Sequence, residues 1–380
     1  MTMGGKAFAH LNTPRMSHAS YARLSAQVVE ALKACFVRVR CPPESPGKAD
    51  HGDVDVLVEE WRGSSNLAEV VRVLGATEWI GHLEAGSTTN LAIPAAEDRD
   101  PQIYRQVDLL VCHQGMLEWE SFTKSYGDLW NILGSMIGPF GLTTNDRGLF
   151  LRIPGFETVD RKKSMILLTK EPTKVVPFLG LDHDAFERGW KGQAEMFQWA
   201  KQCRFFRKEV FRRDGEELKA NDRKRLKVRP VYRSWVMDYL PALSEPASSP
   251  NTWVTREEIL EETLEEFDVR KAYGEKLADH RATQCANRAW RKISEAIPLP
   301  RGQEYGKVMR GLKDRISLLP GNDAKVHSEL TLPPFWESNQ QIDEYLLCTW
   351  VSVHWKTIRD LQKGLDQTRL ENLSKNLEAF

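Results

Sequence analysis

His51-Gly-Asp-Val-Asp-Val-Leu-Val58 is the stretch from which the rest of the chain is read. Asp53 and Asp55 alternate with Val54, Val56 and Val58, the period of two that belongs to a β-strand. Successive strand side chains point to opposite faces, so both carboxylates share one face and the valines take the other. Two such charges about 4 Å apart, at an effective dielectric near 20, repel by about 4 kcal/mol. A fold that keeps them together needs a cation or a raised pKa. Gly52 lets the backbone approach a ligand closely just before the first acid. Ahead of it runs the polar loop Ser45-Pro-Gly-Lys-Ala-Asp-His51.

Working outward, Tyr104-Arg-Gln-Val-Asp-Leu-Leu-Val-Cys112 is a second strand pattern, and it carries a third carboxylate, Asp108, within an apolar run. A lone acid there needs a partner. If the two strands pair, Asp53, Asp55 and Asp108 form a cluster of hard oxygen donors suited to Mg²⁺, which takes substrate phosphates as further ligands. Around them the spacing predicts a helix opening at Ser17 or Ser20, a strand over Cys35–Arg40 stopped by Pro42-Pro43, a helix near Asn66–Leu74 and a strand over Thr88–Ile93. Strands interleaved with helices give a small mixed sheet.

HGDVDVLV followed by QVDLLVC resembles the DNA polymerase β-like nucleotidyltransferase superfamily, in which Asp-h-Asp on one strand meets a further Asp on a neighbour. SPGKADHGDVDVLV together with KSYGDLWNILGSMIGPFGL is similar to a group of uncharacterised nucleotidyltransferase-like proteins of phages and fungi, over roughly residues 30–155. The resemblance implies a Mg²⁺-dependent transfer of a nucleoside monophosphate from a nucleoside triphosphate to an acceptor hydroxyl, with two metal ions and release of pyrophosphate. Asp53, Asp55 and Asp108 would be the metal-binding and catalytic residues. The superfamily's Gly-Ser dipeptide is absent. Its nearest equivalent is Ser45 with Gly47, closer to the first acid than is usual, and Lys48 could supply a phosphate-binding charge. Ser125, in Lys124-Ser-Tyr-Gly-Asp128, either offers donors to phosphate or ribose or caps the helix that follows. His51 is read either as an acid/base or as a solvent-facing loop histidine.

Beyond residue 180 helical periodicity dominates, as at Met196, Trp199, Ala200 and Cys203. The expected organisation is α+β: a flexible tail over 1–15, a nucleotidyltransferase-like α/β domain over 16–180, and a mainly helical domain over 181–380 with loops near 241–251 and 332–335. Asp182 or Asp184 reads as a helix N-cap, and Thr255-x-x-Glu258 as a capping box opening an acidic helix with a buried stripe.

Lys201 to Arg233 holds thirteen Lys or Arg against five acids, with Phe205, Phe206, Phe211, Tyr232 and nearby Trp235 interleaved. That composition fits a groove binding a nucleic-acid acceptor, or equally a solvated helix with core aromatics. The whole chain carries 53 basic and 53 acidic residues, so no global field steers it toward polyanions. Six scattered cysteines form neither a disulfide framework nor a zinc motif. The absence of a signal-peptide pattern and of any 18-residue apolar run leads to the expectation of a cytoplasmic or nuclear protein with no membrane partner. Acceptor and oligomeric state are not legible. A catalytically inactive relative that binds nucleotide or nucleic acid is the alternative.

Overall fold

The computed structural model describes residues 5–95, 102–211, 220–243, 254–316, 318 and 342–377. The chain is α+β and divides into two compact units, Met1–Arg270 and Lys271–Phe380. The helices after residue 180 that the sequence reading groups with the C-terminal half therefore belong, as far as Arg270, with the sheet. Residues 332–335 and 244–251, where loops are expected, lie outside the described residues.

The first unit opens with β1 (Met16–Ser17), α1 (His18–Leu32), β2 (Phe36–Arg40), β3 (Asp50–His51), β4 (Asp53–Trp61), α2 (Leu67–Leu74), β5 (Glu78–Ile80), β6 (Thr88–Pro94) and β7 (Tyr104–Val111). Each helix has a local cause. Ser17 Oγ accepts from Ser20 N at 3.2 Å and starts α1. Asn66 caps α2, which ends at Gly75 in the left-handed region, φ 62.

The five-stranded sheet has the order β2-β4-β7-β6-β5. β4 and β7 are parallel, and their register pairs Val54 with Val107, Val56 with Leu109 and Val58 with Val111. These six side chains form one face and are buried with Val28 and Leu32 of α1 and Val70 of α2. At about 1.5–3 kcal/mol per buried aliphatic side chain, this face holds the sheet and its two helices together.

The opposite face changes character along β4. Asp53 and Asp55 stand at its start, whereas Leu57 packs with Leu117 of α3 (Leu117–Lys124). Next on that face, Glu59 is buried, takes backbone N–H bonds from Met116 and Leu117 at the start of α3, and pairs with Arg38 of β2. A carboxylate at a helix N-terminus is favourably placed against its dipole. The acidic site is thus the uncovered end of a face that α3 otherwise closes.

The first unit continues with α4 (Leu129–Ile137), the three-stranded antiparallel sheet of β8 (Leu142–Asn145), β9 (Gly148–Arg152) and β10 (Met165–Thr169), then α5 (Pro172–Phe178), α6 (His183–Arg188), α7 (Gln193–Lys201), α8 (Ala220–Val228), α9 (Pro230–Ser234), α10 (Leu240–Ala242) and α11 (Arg256–Glu266). Asp182 caps α6 through Asp184 N and Ala185 N. Thr255 and Glu258 form a reciprocal capping box at α11.

The second unit is built by α12 (Arg270–Ala296), α13 (Gln303–Lys313) and α14 (Glu344–Leu377). Ala289, Ile293, Val308, Leu312, Leu347 and Val351 form the middle of its core. Among the described residues no helix is long and apolar enough to cross a membrane.

Candidate functional site

The register of three strands assembles the carboxylates. Parallel pairing sets Asp55 opposite Asp108 and Asp53 opposite Gln106, and antiparallel pairing sets Asn90 of β6 opposite Asp108. All five side chains therefore occupy one face, and the third acid lies on the same side as the other two. Asp108 Oδ1 accepts from Asn90 Nδ2 and from Gln106 Nε2, both at 2.7 Å. Asp55 stays open to solvent on one side. Even so, burial of the rest of its carboxyl, reinforced by the charges of Asp53 and Asp108, pushes its pKa up to about 7. Burial first, then Asp108, also raises Asp53, while Lys48 and Arg15 act in the opposite direction. Sequence reasoning finds the acids but not Asn90 or Gln106.

The wall beside the acids comes from segments that read in the sequence as loop and tail. Ser45-Pro46-Gly47-Lys48 is a β-turn closed by Lys48 N donating to Ser45 O at 3.3 Å. Proline at its second position and Gly47 at φ 74 in its third mark a type II turn. Ser45 is buried, and its hydroxyl has no hydrogen-bond partner among the described residues. Lys48 Nζ lies 2.5 Å from Glu44 Oε2. His51 is fully buried rather than solvent-facing, stacked on Tyr21 with ring centroids 3.9 Å apart. Its burial, and then Lys48, hold its pKa below the ordinary histidine value.

Residues 5–13, expected as a tail, strap across this wall. Gly5 N donates to Gly52 O at 2.8 Å, so the Gly52 backbone is engaged by the chain itself. Ala7 N donates to Gln106 Oε1 at 3.0 Å. That bond fixes which end of the Gln106 amide is oxygen, and so turns its N–H toward Asp108. A Cβ on Gly5 would fall 2.1 Å from Gln106 Oε1, which explains why a glycine stands there. Phe8 is fully buried and anchors the strap.

Ser125 is buried and donates to Ser121 O at 2.6 Å, so its hydroxyl serves the end of α3 rather than an open site. The next residue, Tyr126, is left-handed at φ 60, a conformation costing a bulky residue about 1–3 kcal/mol. It is held by Tyr126 N donating to Pro43 O at 2.6 Å and by Tyr126 Oη donating to Phe186 O at 2.6 Å. A Cβ on Gly127 would meet Ser45 Cβ at 3.3 Å, so this strained corner lies directly against the Ser45 turn. Asp128 accepts from Val231 N at 3.2 Å and faces Arg229 at 3.5 Å, tying the start of α4 to α9.

As placed, no group of three or more His, Cys, Asp or Glu side chains among the described residues forms a ready metal cage. The donor chemistry nevertheless suits Mg²⁺. Three carboxylates share one face, two of them carry pKa values raised by burial and then by one another's charge, and Asp108 keeps one oxygen beyond its amide bonds. Asp53, Asp55 and Asp108 are the residues that could hold the ion.

The aromatics of the basic 201–233 segment are not a stacking platform. Phe205 and Trp235 are essentially fully buried, Phe211 and Tyr232 nearly so. Phe205 packs on Phe140, and Phe206 and Phe211 pack on Trp235. Arg204 lies over Phe178 and Phe205, and Arg207 over Phe140, so part of the basic charge covers this core. No family model matches this chain, and no curated protein sequence does.

Proposed function

We propose that the protein is a Mg²⁺-dependent nucleotidyltransferase of the polymerase β-like kind, moving a nucleoside monophosphate from a nucleoside triphosphate onto an acceptor hydroxyl. The observation that carries this reading is the in-register meeting of Asp55 and Asp108 on the face that also bears Asp53. Mg²⁺ bound there would neutralise triphosphate charge and polarise the phosphorus under attack. Asp53 and Asp55 would hold that ion at the triphosphate end. The free oxygen of Asp108 orients the acceptor hydroxyl and accepts its proton as the oxygen attacks the α-phosphorus. The bond from that phosphorus to the bridging oxygen breaks, and pyrophosphate leaves. Lys48 can turn from Glu44 to a phosphate oxygen, and the unpartnered Ser45 hydroxyl supplies a further donor. The acceptor that suits an arginine-rich helical region is a nucleic-acid strand. An intracellular, cytoplasmic or nuclear, setting fits six free thiols.

A second reading is favoured by one arrangement: Asp108 is clamped by two amides, and the carboxylates do not converge as placed. On that reading the protein binds nucleotide or nucleic acid without transferring anything. Incubation of the purified protein with α-labelled triphosphates, Mg²⁺ and total RNA separates the two. Label should enter the acceptor with wild type and be lost with Asp53→Ala and Asp108→Ala. Equal labelling by wild type and both variants would remove the triad from the chemistry. Mg²⁺-dependent nucleotide binding with no labelling by wild type would select the second reading.

A further inference from the structure

A cavity of about 420 Å³ lies in the first unit, away from the carboxylates, at the C-terminal end of α4. Gly138 and Pro139 line it together with Arg152, Arg161 and Arg225 and with one carboxylate, Asp222, which pairs with Arg225. Val210, Phe211, Tyr232 and Val236 complete an apolar wall. The volume is within the range of small-ligand sites, about 300–1,000 Å³. Mixed apolar and cationic walls suit a nucleoside phosphate better than a bare anion or a hydrocarbon.

The three arginines play different parts. Arg152 is structural: its guanidinium donates to Gly138 O and Gly141 O and pairs with Glu157. That donation also satisfies the carbonyl which would otherwise present the negative end of α4 to an anion. Burial lowers its pKa, Glu157 opposes that, and Arg161 and Arg256 add to it. Arg161 is exposed and has no ion-pair partner among the described residues. Arg225 lies 3.2 Å from Asp222 and 6.0 Å from the centre of the Tyr232 ring, and is partly open. Two guanidinium groups thus retain donors for a phosphate, while the third fixes the wall.

Ser45 abuts Gly127 at the start of α4, and this cavity lies at the other end of that helix. Nine residues of α-helix are about 13 Å long. An acceptor strand that runs along α4 from the Ser45 turn would bring a phosphate toward this cavity. We propose that the cavity is a phosphate-binding subsite, with Arg161 and Arg225 as its donors, that takes a nucleotide unit of the acceptor strand. The acceptor role rests on the nucleotidyl-transfer reading, whereas phosphate binding itself does not.

The test uses the full chain. Binding of AMP is measured by calorimetry and binding of a fluorescein-labelled hexaadenylate RNA by anisotropy, for wild type, R161E and the R161E/R225A pair. Arg161 supports no described contact that folding needs, so R161E alone keeps the experiment decisive if the pair misfolds. The expected result is a loss of about tenfold or more in affinity for RNA in R161E and a salt slope reduced by about one per arginine removed. RNA bound at least tenfold more tightly than AMP, through these arginines, supports the acceptor strand. Arginine-dependent AMP binding with no gain for RNA overturns that assignment in favour of a free nucleotide. Affinity for both probes unchanged by R161E, or no binding by wild type, overturns the subsite. Arginine-dependent binding in a protein that never transfers label would retire the catalytic reading and leave the subsite standing.

Discussion

Replacing Asp55 by asparagine should stabilise the metal-free sheet while abolishing its response to Mg²⁺. Asp55 faces Asp108 across adjacent strands about 4.8 Å apart and Asp53 two residues away, about 6.6 Å along the strand. The two repulsions sum to about 6 kcal/mol at an effective dielectric near 20 and to about 1.5 kcal/mol in bulk water. Asp55 is open to solvent, so screening places the effect near the lower end, at about 2 kcal/mol. The sign follows from the raised pKa. A carboxyl that titrates at about 7 in the folded state, against about 4 unfolded, holds more protons folded than unfolded in that window. Stability therefore falls as pH rises from about 4 to 7, and the penalty is complete above it. The neutral amide of D55N carries no such penalty. Hydrogen exchange of peptides spanning 53–61, corrected for intrinsic rates and run in chelator, reads the local opening free energy. Wild type and D55N should agree near pH 4, and D55N should be about 2 kcal/mol better protected at pH 8. Added Mg²⁺ should then protect wild type and leave D55N unmoved. Equal protection at pH 8 in chelator would show that the carboxylates do not repel one another, and the cation-site reasoning would fail with it.

The strap predicts a coupled effect. Gly5→Val drives a side chain into Gln106, so residues 5–13 should become susceptible to limited proteolysis, and Gln106→Leu, which removes both amide bonds, should do the same. Both should lower transfer to RNA at least as strongly as they loosen the strap. Thr255→Ala removes the capping box of α11 and should cost about 1 kcal/mol in the urea stability of the first unit, with transfer unchanged.

Period-two alternation makes β4 and β7 legible, because valines against aspartates leave one choice of faces. What alternation cannot carry is register. A shift of one residue between β4 and β7 would put Asp108 beside Val56 on the wrong face, and only the three-dimensional packing of Val107 and Leu109 excludes it. The strap is not legible, because Gly, Ala and Asn spaced by Lys and His look like an unordered terminus. Gly5 is required by the closeness of Gln106, which sequence spacing does not show. The basic, aromatic segment misleads for a related reason. Composition is the same whether Phe205 and Trp235 face a ligand or each other's neighbours, and here they are core. A domain boundary at 180 does not hold because helical periodicity reports local structure, whereas Asp128 and Val231 join segments a hundred residues apart.

Whether the amide clamp on Asp108 prevents catalysis is a question of magnitudes. Hydrogen bonds to a charged group contribute about 1.5–3 kcal/mol each, so Asn90 and Gln106 together hold the carboxylate with about 3–6 kcal/mol. A divalent ion held by Asp53, Asp55 and Asp108 would set two positive charges against three carboxylates, an attraction that does not require displacing the amides. Its charge would also offset the repulsion that, after burial, raises Asp55. The clamp therefore selects the orientation of Asp108 without competing for the ion, since it occupies only Oδ1. The two amides therefore aim the second oxygen and leave it open to the proposed transfer.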